Sequence, residues 1–361
     1  MKKTSVSIII CVATLLINSC SFSSIGATDQ STNTTASDQP TQSWRVADPQ
    51  EQGLDAEVLS KMFSVIEEEP INLHSLVVVR NADIVAEKYY GIWGPEHKHT
   101  VQSVTKTIIS ALVGIALEDG CLNSLDDPIW NYLPDRTPAD NDALKQEISL
   151  KHLLTMSSGL EWYEGQTPIW TSTDWIQFVL DQPMTAPPGN VWNYNSGNAH
   201  LLSAIIQNAC GINTLDYAQK KLFTPLGITD VKWETDPTGI PNGGWGLSML
   251  PRDMAKFGLL YLSEGVWGGQ QIVPVEWIEA STQKYFQVPK PLEPWDLYYG
   301  YTWWLDGDGP YYAAHGRGGQ FIYILPEQQI VVVFTRDVNT PEDEFILPEQ
   351  LIREYIVPAV K

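Results

Sequence analysis

The chain has 361 residues, 43% of them hydrophobic, and carries a formal charge of −21 at pH 7. So acidic a surface argues against nucleic acid or an anionic lipid surface as a binding partner. The length suffices for one large domain or two closely joined ones with an ample core.

Residues 1–19 have the pattern of a secretory signal peptide. Lys2 and Lys3 precede a short apolar run at residues 8–17, which is too short to span a bilayer. The sequence therefore predicts export to a periplasmic or cell-surface location.

The end of this segment, Leu16-Ile17-Asn18-Ser19-Cys20, resembles a bacterial lipobox. It predicts a lipid anchor on Cys20, through which the protein would be held at a membrane. The alternative is ordinary signal-peptidase cleavage near Gly26-Ala27. Residues 20–45 are polar and almost free of apolar side chains, which predicts a disordered tether between anchor and domain.

Two cysteines remain beyond the signal and the lipobox, Cys121 and Cys210. They could form a disulfide in an oxidising compartment, but their spacing does not show that they meet. We expect two free, buried thiols.

The folded part is expected at residues 46–361. Helix is predicted at 55–68, and a β-hairpin at 74–80 and 84–90. A buried helix is predicted from residue 103, mostly helical structure at 122–290, and strands at 301–305 or 311–314, 321–325 and 330–335. A last helix is predicted at about 344–356. The pattern predicts an α/β fold with one antiparallel sheet built from both chain ends (46–102 and 291–361) and flanked by helices. A mostly helical part (103–290) is inserted between them.

The segment 102–117 is apolar on every side and so predicts a helix buried on all faces. Its first turn contains Ser103 and Lys106, which lie on one helix face because they are three residues apart. Burial lowers the pKa of a lysine, so a neutral Lys106 could deprotonate Ser103. The helix N-terminus favours negative charge beside the serine. We interpret the pair as an activated nucleophile with its base.

The same spacing also occurs at Ser281 and Lys284. This second pair ends a predicted helix and runs into a proline-rich loop, where its lysine can stay in water. We therefore favour Ser103 over Ser281 as the nucleophile.

A polar loop contains Tyr194-Asn195-Ser196. Taken alone, Tyr194 is typical of a packed phenol. Near an amine, however, it could share a proton with Lys106 and pass it to a leaving group.

The stretch His315-Gly316-Arg317-Gly318-Gly319 leads into a predicted strand. Glycines there let a backbone approach a ligand closely, although a hairpin bend explains them as well. An edge strand with free N–H groups would supply one oxyanion donor beside the amide of Ser103.

From about residue 50 onward, the chain resembles the serine β-lactamase and penicillin-binding-protein superfamily. The resemblance is to its class C β-lactamase, D-alanyl-D-alanine carboxypeptidase and esterase side. It is carried by Ser103-Val104-Thr105-Lys106, Tyr194-Asn195-Ser196 and the glycine-rich stretch at His315, in that order. The resemblance implies a β-lactamase/transpeptidase-like fold with Ser103 acylated, Lys106 as its base and Tyr194 as proton shuttle. It implies neither a cofactor nor a metal.

Two positions depart from that family. Its Tyr-x-Asn motif has Ser196 in place of the asparagine, and its basic strand element has no clean match, so His315 or Arg317 would have to replace the cation. Ser196, His315, Gly316, Arg317 and Gly318 are the predicted substrate-binding residues. The Gly316-x-Gly318-Gly319-Gln320 pattern is more similar to the branch of 6-aminohexanoate-dimer hydrolases.

Other candidates are weaker. His97 and His99 lack a third metal ligand nearby in the sequence. The aromatic residues from Trp295 to Trp304 could wall a substrate pocket or fill the core.

We therefore expect an exported serine hydrolase of small ester, amide, D-amino-acid peptide or β-lactam substrates. The alternative is a non-hydrolysing protein that traps or senses a ligand as a long-lived acyl-enzyme. The sequence does not give the oligomeric state.

Overall fold

A computed structural model describes residues 39–40, 43–68, 72–140, 142–289, 296–307, 309–340 and 346–361. The predicted signal peptide and the lipobox cysteine lie outside the described residues. Within the described ranges, none of the helices is long and apolar enough to cross a membrane.

Nine α-helices are present in the part of the chain that the structure describes. They are α1 (Ala56–Glu68), α2 (Val104–Glu118), α3 (Leu150–Leu154), α4 (Trp175–Leu180), α5 (Ser196–Cys210), α6 (Thr214–Ala218), α7 (Pro251–Leu262), α8 (Val275–Ser281) and α9 (Ile346–Leu351). Two of them, α6 and α9, continue directly into a π-helical turn, Gln219–Phe223 and Ile352–Ile356.

The main sheet contains eight strands and is antiparallel throughout. Its members are β1 (Leu73–Arg80), β2 (Asp83–Tyr89), β8 (Phe286–Gln287), β9 (Leu297–Tyr299), β10 (Trp304–Asp306), β11 (Tyr312–Gly316), β12 (Gln320–Leu325) and β13 (Ile330–Arg336). Their order is β2-β1-β13-β12-β11-β10-β9-β8. The two N-terminal strands therefore join the C-terminal strands in one sheet, as the sequence predicts.

The join between the chain ends is the β1–β13 pair. Six of the eight β1 residues and all seven of β13 are buried, with Val77 opposite Val333. The predicted hairpin forms because Asn81 and Ala82 both adopt positive φ, 51° and 65°, the geometry of a tight two-residue turn. Apolar residues on both faces let the sheet pack helices on each side.

Helix α2 is enclosed as the sequence predicts, with thirteen of its fifteen residues buried. It lies so close to α8 that a Cβ on Gly114 would come within 2.3 Å of the Trp277 ring. Its buried hydroxyls are satisfied by neighbouring backbone: Ser110 donates to the Tyr301 carbonyl at 2.8 Å. The helix is therefore held as a rigid rod between the sheet and the helical part.

The middle of the chain is mostly helical, with short strands that the sequence did not predict. A three-stranded sheet joins β3 (His99–Thr100), β5 (Leu247–Met249) and β4 (Lys232–Trp233), and a small hairpin pairs β6 (Val266–Trp267) with β7 (Gln270–Gln271). These strands are two or three residues long, too short to leave an alternating pattern in the sequence.

The predicted tether contacts the domain at its C-terminal end. Gln39 is buried, and its amide group donates to the Val266 carbonyl and accepts from the Gly268 amide, at 2.7 and 2.8 Å. Arg45 forms an ion pair with Asp83. The ordered contacts therefore begin before residue 46, inside the segment that composition alone assigned to the tether.

The expectation of free thiols at Cys121 and Cys210 is wrong. The two cysteines form a disulfide, with Cα atoms 5.0 Å apart. Cys121 lies just after the end of α2, and Cys210 is the last residue of α5. Both helices therefore have their C-terminal ends tied together. Sequence spacing could not show this, because 89 residues separate the two cysteines.

Reduction of this disulfide should destabilise the fold. Closing an 89-residue loop lowers the entropy of the unfolded chain and stabilises the native state by about 4.5 kcal/mol on the chain-entropy model. We expect dithiothreitol to lower the midpoint of urea unfolding of the wild type.

The Cys121→Ser/Cys210→Ser double variant is the matched control and should unfold at the same urea concentration with or without dithiothreitol. Thiols can be titrated in unreduced, denatured protein that spans residues 39–361. Two titratable thiols there, together with a wild-type urea midpoint that dithiothreitol does not change, would contradict the disulfide.

Candidate active site

The predicted nucleophile lies at the tip of α2. Ser103 is the N-cap residue, yet its hydroxyl does not cap the helix. The preceding residue, Gln102, has a positive φ of 49°, which is uncommon for a non-glycine residue. Its carbonyl accepts hydrogen bonds from the Thr105 amide and hydroxyl, at 3.0 and 2.7 Å. The Ser103 hydroxyl is therefore left for other partners.

Lys106 is that partner. Its Nζ lies 2.8 Å from Ser103 Oγ and donates to the Gly244 carbonyl at 2.7 Å. The side chain is only 1% exposed, and burial lowers the pKa of its amine to about 8, against an opposing effect of the Glu164 carboxylate. A substantial fraction of the amine is therefore neutral in mildly alkaline solution.

Tyr194 completes the group. Its ring centroid lies 4.8 Å from Lys106 Nζ, and its hydroxyl interacts with the Ser103 side chain. Burial is the main reason that the pKa of this phenol lies well above its usual value, with the Glu164 charge adding to the effect and the interaction with Ser103 opposing it. At neutral pH the phenol keeps its proton and can donate it.

The residues around Tyr194 are fixed by the loop before α5. Asn195 is the N-cap of α5, its side chain accepting from the Asn198 amide at 3.2 Å, and its own amide donates to Met156 Sδ. Met156 has a positive φ of 56°. Gln102 and Met156 are therefore two residues with strained backbone dihedrals beside the predicted catalytic group, a pattern found at functional sites.

Strand β11 approaches the serine closely. A Cβ on Gly316 would lie 2.4 Å from the Val101 carbonyl oxygen, so only glycine allows this contact. Gly318 has a φ of 75° in the turn that follows, where a Cβ would meet Val338. The glycines of this stretch therefore serve both a close approach and a tight turn.

The strand is internal to the sheet, and the prediction of an edge strand is wrong in that respect. β11 pairs with β12 along its whole length, but its pairing with β10 covers only Tyr312 and Ala313. The last residues of β11, Ala314–Gly316, extend past β10 towards the α2 tip. This end of the strand is where a second oxyanion donor is expected.

His315 and Arg317 are the two residues predicted to replace the family's strand cation, and His315 does not fit that role. His315 stacks on Trp304 with ring centroids 5.3 Å apart, and burial lowers its pKa to about 3, so it is neutral at physiological pH. A neutral imidazole cannot replace the cation. Arg317 is exposed in the turn between β11 and β12.

Ser196 does not present a free hydroxyl. The residue is buried, and its Oγ donates to a Glu164 carboxylate oxygen at 2.5 Å while its amide donates to the other oxygen at 3.1 Å. Sequence reasoning missed Glu164 because it lies in an irregular loop 32 residues earlier. It also missed the Gly244 carbonyl, a backbone group without a side-chain signature.

The Ser281/Lys284 pair is not a site. Ser281 is buried and donates to the Ile278 carbonyl at 3.2 Å, whereas Lys284 is exposed and bonds the Gly307 carbonyl. The choice of Ser103 over Ser281 agrees with this geometry.

The histidines outside the site have structural partners. His200 pairs with Asp236 at 3.2 Å, and His152 accepts from the Ser149 amide at the start of α3. His74 stacks on Trp93, with the ring of His99 tilted beside them. The described ranges contain no group of three or more His, Cys, Asp or Glu side chains placed to hold a metal ion.

The predicted aromatic cluster divides in two. Tyr301 and Trp303 are buried in the main core, whereas Tyr299 and Trp304 lie beside Tyr194 and Trp192. Trp295 lies outside the described residues. We call Trp192, Tyr194, Tyr299 and Trp304 the aromatic wall.

Comparison with known proteins places the chain in a family. The β-lactamase family model matches residues 74–355. The chain belongs to the β-lactamase family. Its serine, lysine and tyrosine are three of the residues on which the sequence resemblance rests.

Individual relatives extend this result. The 6-aminohexanoate-dimer hydrolase of Paenarthrobacter ureafaciens is 23% identical over 283 residues, covering 72% of this chain and 71% of that protein. Esterase EstB of Burkholderia gladioli is 26% identical over 212 residues, 51% of this chain and 54% of the esterase. A structure provisionally named as a 6-aminohexanoate-dimer hydrolase, from Bacillus anthracis, aligns with a TM-score of 0.73 at 21% identity, covering 89% of this chain and 88% of that one. The β-lactamase/transpeptidase-like fold predicted from the sequence is confirmed.

Substitution of Gly316 should impair the site without unfolding the protein. In Gly316→Ala, the new Cβ would meet the Val101 carbonyl at 2.4 Å, so β11 and the α2 tip must move apart. Displacements near 1 Å can cost about 100-fold in rate. We expect the rate of Ser103 labelling by a fluorophosphonate to fall by roughly that factor, with the circular dichroism spectrum retained.

Gly94→Ala is the matched control, since its Cβ would meet only the flexible end of the Glu96 side chain. Wild-type labelling rates in Gly316→Ala would show that the close approach of β11 does not matter for the serine.

Proposed function

We propose that this protein is an exported serine hydrolase that cleaves small ester or amide substrates through an acyl-enzyme on Ser103. The observation that carries the proposal is the 2.8 Å contact between Ser103 Oγ and a buried amine whose pKa burial lowers to about 8. The relatives named as hydrolases and esterases in the same family support the reaction class.

The proposed acylation begins with proton transfer. Neutral Lys106 takes the Ser103 proton as the oxygen attacks the substrate carbonyl carbon, and the resulting ammonium is stabilised by the Gly244 carbonyl. The negative charge on the carbonyl oxygen would be held by the Ser103 amide at the α2 N-terminus and by the end of β11. Each such donor is typically worth about 10²–10³ in rate.

Departure of the leaving group needs an acid. Tyr194 is protonated at neutral pH and lies beside the Lys106 amine that contacts Ser103, so we assign it the role of donating the proton that the leaving alcohol or amine takes up. Lys106 then returns its proton to the phenol. In deacylation, water takes the place of the leaving group and the same groups work in the reverse direction.

A second candidate is a non-hydrolysing protein that keeps its ligand as a long-lived acyl-enzyme. The Ser196–Glu164 hydrogen bond favours it, because the position of the family's substrate-gripping asparagine is taken by a hydroxyl that is already bonded. This candidate shares Ser103 and Lys106 but lacks effective deacylation.

Turnover of a chromogenic short-chain ester and labelling by a fluorescent penicillin separate the two. The hydrolase predicts repeated ester turnover that Ser103→Ala abolishes and Ser281→Ala leaves unchanged. Stoichiometric labelling of Ser103 without turnover would instead establish the trapping protein. Full activity in Ser103→Ala would contradict both.

The pH dependence should report Lys106. Because burial lowers the pKa of its amine to about 8, the neutral base becomes more abundant as pH rises through that value. We expect kcat/KM to rise from pH 6, to reach half of its plateau near pH 8 and to level off about one pH unit higher. Lys106→Met should lose about 10²–10⁴ of the rate, the usual contribution of a general base.

Lys284→Met is the matched control and should keep the wild-type profile, since its ammonium is exposed. A profile that is flat from pH 6 to 9 in the wild type would argue against Lys106 as the base.

We also propose that the protein is lipid-anchored through Cys20 at a bacterial membrane. The Cys121–Cys210 disulfide supports export, because disulfides persist mainly in oxidising compartments. In a bacterial host, Cys20→Ser should move the protein from the membrane fraction to the soluble fraction.

Cys11→Ser, within the predicted signal, should leave membrane attachment unchanged. Continued membrane attachment of the Cys20→Ser protein would rule out a lipid at that position.

A further inference from the structure

Glu164 is a fixed negative charge at the site. It is exposed at the surface, yet its carboxylate accepts three hydrogen bonds: from the Ser196 amide and hydroxyl at 3.1 and 2.5 Å, and from the Trp162 indole at 2.8 Å. Three donors on one carboxylate hold it in one geometry, whereas an ordinary exposed glutamate moves freely. The side chain therefore presents its charge in a defined place.

That place borders the predicted catalytic group. The carboxylate bonds Ser196, two residues after Tyr194, and Ser196 packs against Gly244, whose carbonyl accepts the hydrogen bond from Lys106. The Glu164 charge raises the pKa of Tyr194 and of Tyr299, after burial as the main cause, and it opposes the lowering of the pKa of Lys106 by burial. Lys106 contacts the Ser103 hydroxyl, and Tyr194 and Tyr299 belong to the aromatic wall. A substrate bound at Ser103 therefore lies within the electrostatic field of the carboxylate.

The aromatic wall lies beside this charge. Tyr299 is fully buried and supports the others, its ring 5.1 Å from that of Trp304 and 5.5 Å from that of Trp192. Trp192, Tyr194 and Trp304 are only partly buried, so they offer ring surface to the site. Aromatic rings attract cations through their negative faces, by about 0.5–2 kcal/mol per contact.

No compensating cation is fixed at β11. His315 is half-buried and neutral, and Arg317 is exposed in the turn beyond the strand. Among the described residues, Glu164 is the charged side chain that acts on both Lys106 and Tyr194. A substrate carboxylate would meet repulsion there, whereas an ammonium group would be attracted by both the carboxylate and the rings.

We propose that Glu164 and the aromatic wall make this site selective for esters or amides that carry a positively charged ammonium group, and that Glu164 disfavours substrates with a carboxylate. The proposal rests on the hydrolase function proposed above and specifies its substrate class. Glu164 acts in it as a specificity-determining residue.

Three 4-nitrophenyl esters that differ only in the end of the acyl chain test this selectivity: trimethylammonium, tert-butyl and carboxylate. The first two have nearly the same shape and differ in charge. We expect kcat/KM in the order cation, neutral, anion, with the cationic ester favoured about tenfold over the neutral one, as one cation–π or ion-pair contact would give. In Glu164→Gln, the ratio of the cationic to the neutral ester should fall severalfold, and only the preference that the aromatic rings supply should remain.

Glu161→Gln is the matched control. Glu161 lies in the same loop and its removal changes the net charge equally, but its carboxylate bonds the Tyr163 hydroxyl. The ratio should be unchanged in this variant. A merely structural role of Glu164 would lower the rates for all three esters together and leave the ratio intact, which would overturn the proposal.

Binding gives a second readout that needs neither turnover nor a variant. Isothermal titration calorimetry of the wild type should show phenyltrimethylammonium binding at least tenfold more tightly than benzoate. Equal affinities, or tighter benzoate, would overturn the selectivity. Failure of the hydrolase function is distinguishable, because it would abolish Ser103-dependent turnover of the neutral ester as well.

Discussion

The site depends on one costly act of burial, that of a lysine amine at the tip of an enclosed helix. Moving an ammonium out of water is unfavourable, and here it lowers the pKa of Lys106 from 10.5 to about 8. A change of this size corresponds to about 3 kcal/mol between the charged and neutral forms. This burial is unfavourable for the ammonium, but it keeps a base in contact with Ser103, and the Gly244 carbonyl accepts a hydrogen bond from the amine.

The rest of the molecule holds that arrangement rigid. Helix α2 is packed on all sides, and its C-terminal end is tied to that of α5 through the disulfide. Because Tyr194 precedes the first residue of α5, the two helices bring the amine and the phenol together from positions 88 residues apart in the chain. Strained backbone lies at Gln102, just before α2, and at Met156, whose sulfur accepts a hydrogen bond from the amide of Asn195, the residue after Tyr194. The geometry of the site is thus set by elements that extend well beyond it.

Much of this could be predicted from the sequence, because the deciding patterns are local. An all-round apolar run with Ser103 and Lys106 in its first turn already predicts a buried amine beside a hydroxyl. Strand patterns at both ends of the chain predict a sheet shared between them. What could not be predicted depends on long-range contacts: the disulfide, the Gly244 carbonyl and the Glu164 carboxylate. His315 is instructive, since its position suggested a cation and only its burial against Trp304 shows that it is neutral.

The central claim concerns the protonation of one amine, and a direct titration tests it. In protein labelled with ¹³C at the lysine ε-carbons, the Lys106 resonance can be assigned by its loss in Lys106→Arg and followed from pH 6 to 11. The structure predicts a midpoint near 8 for this resonance. A midpoint at the ordinary lysine value near 10.5 would contradict the account, because Ser103 would then lack a base.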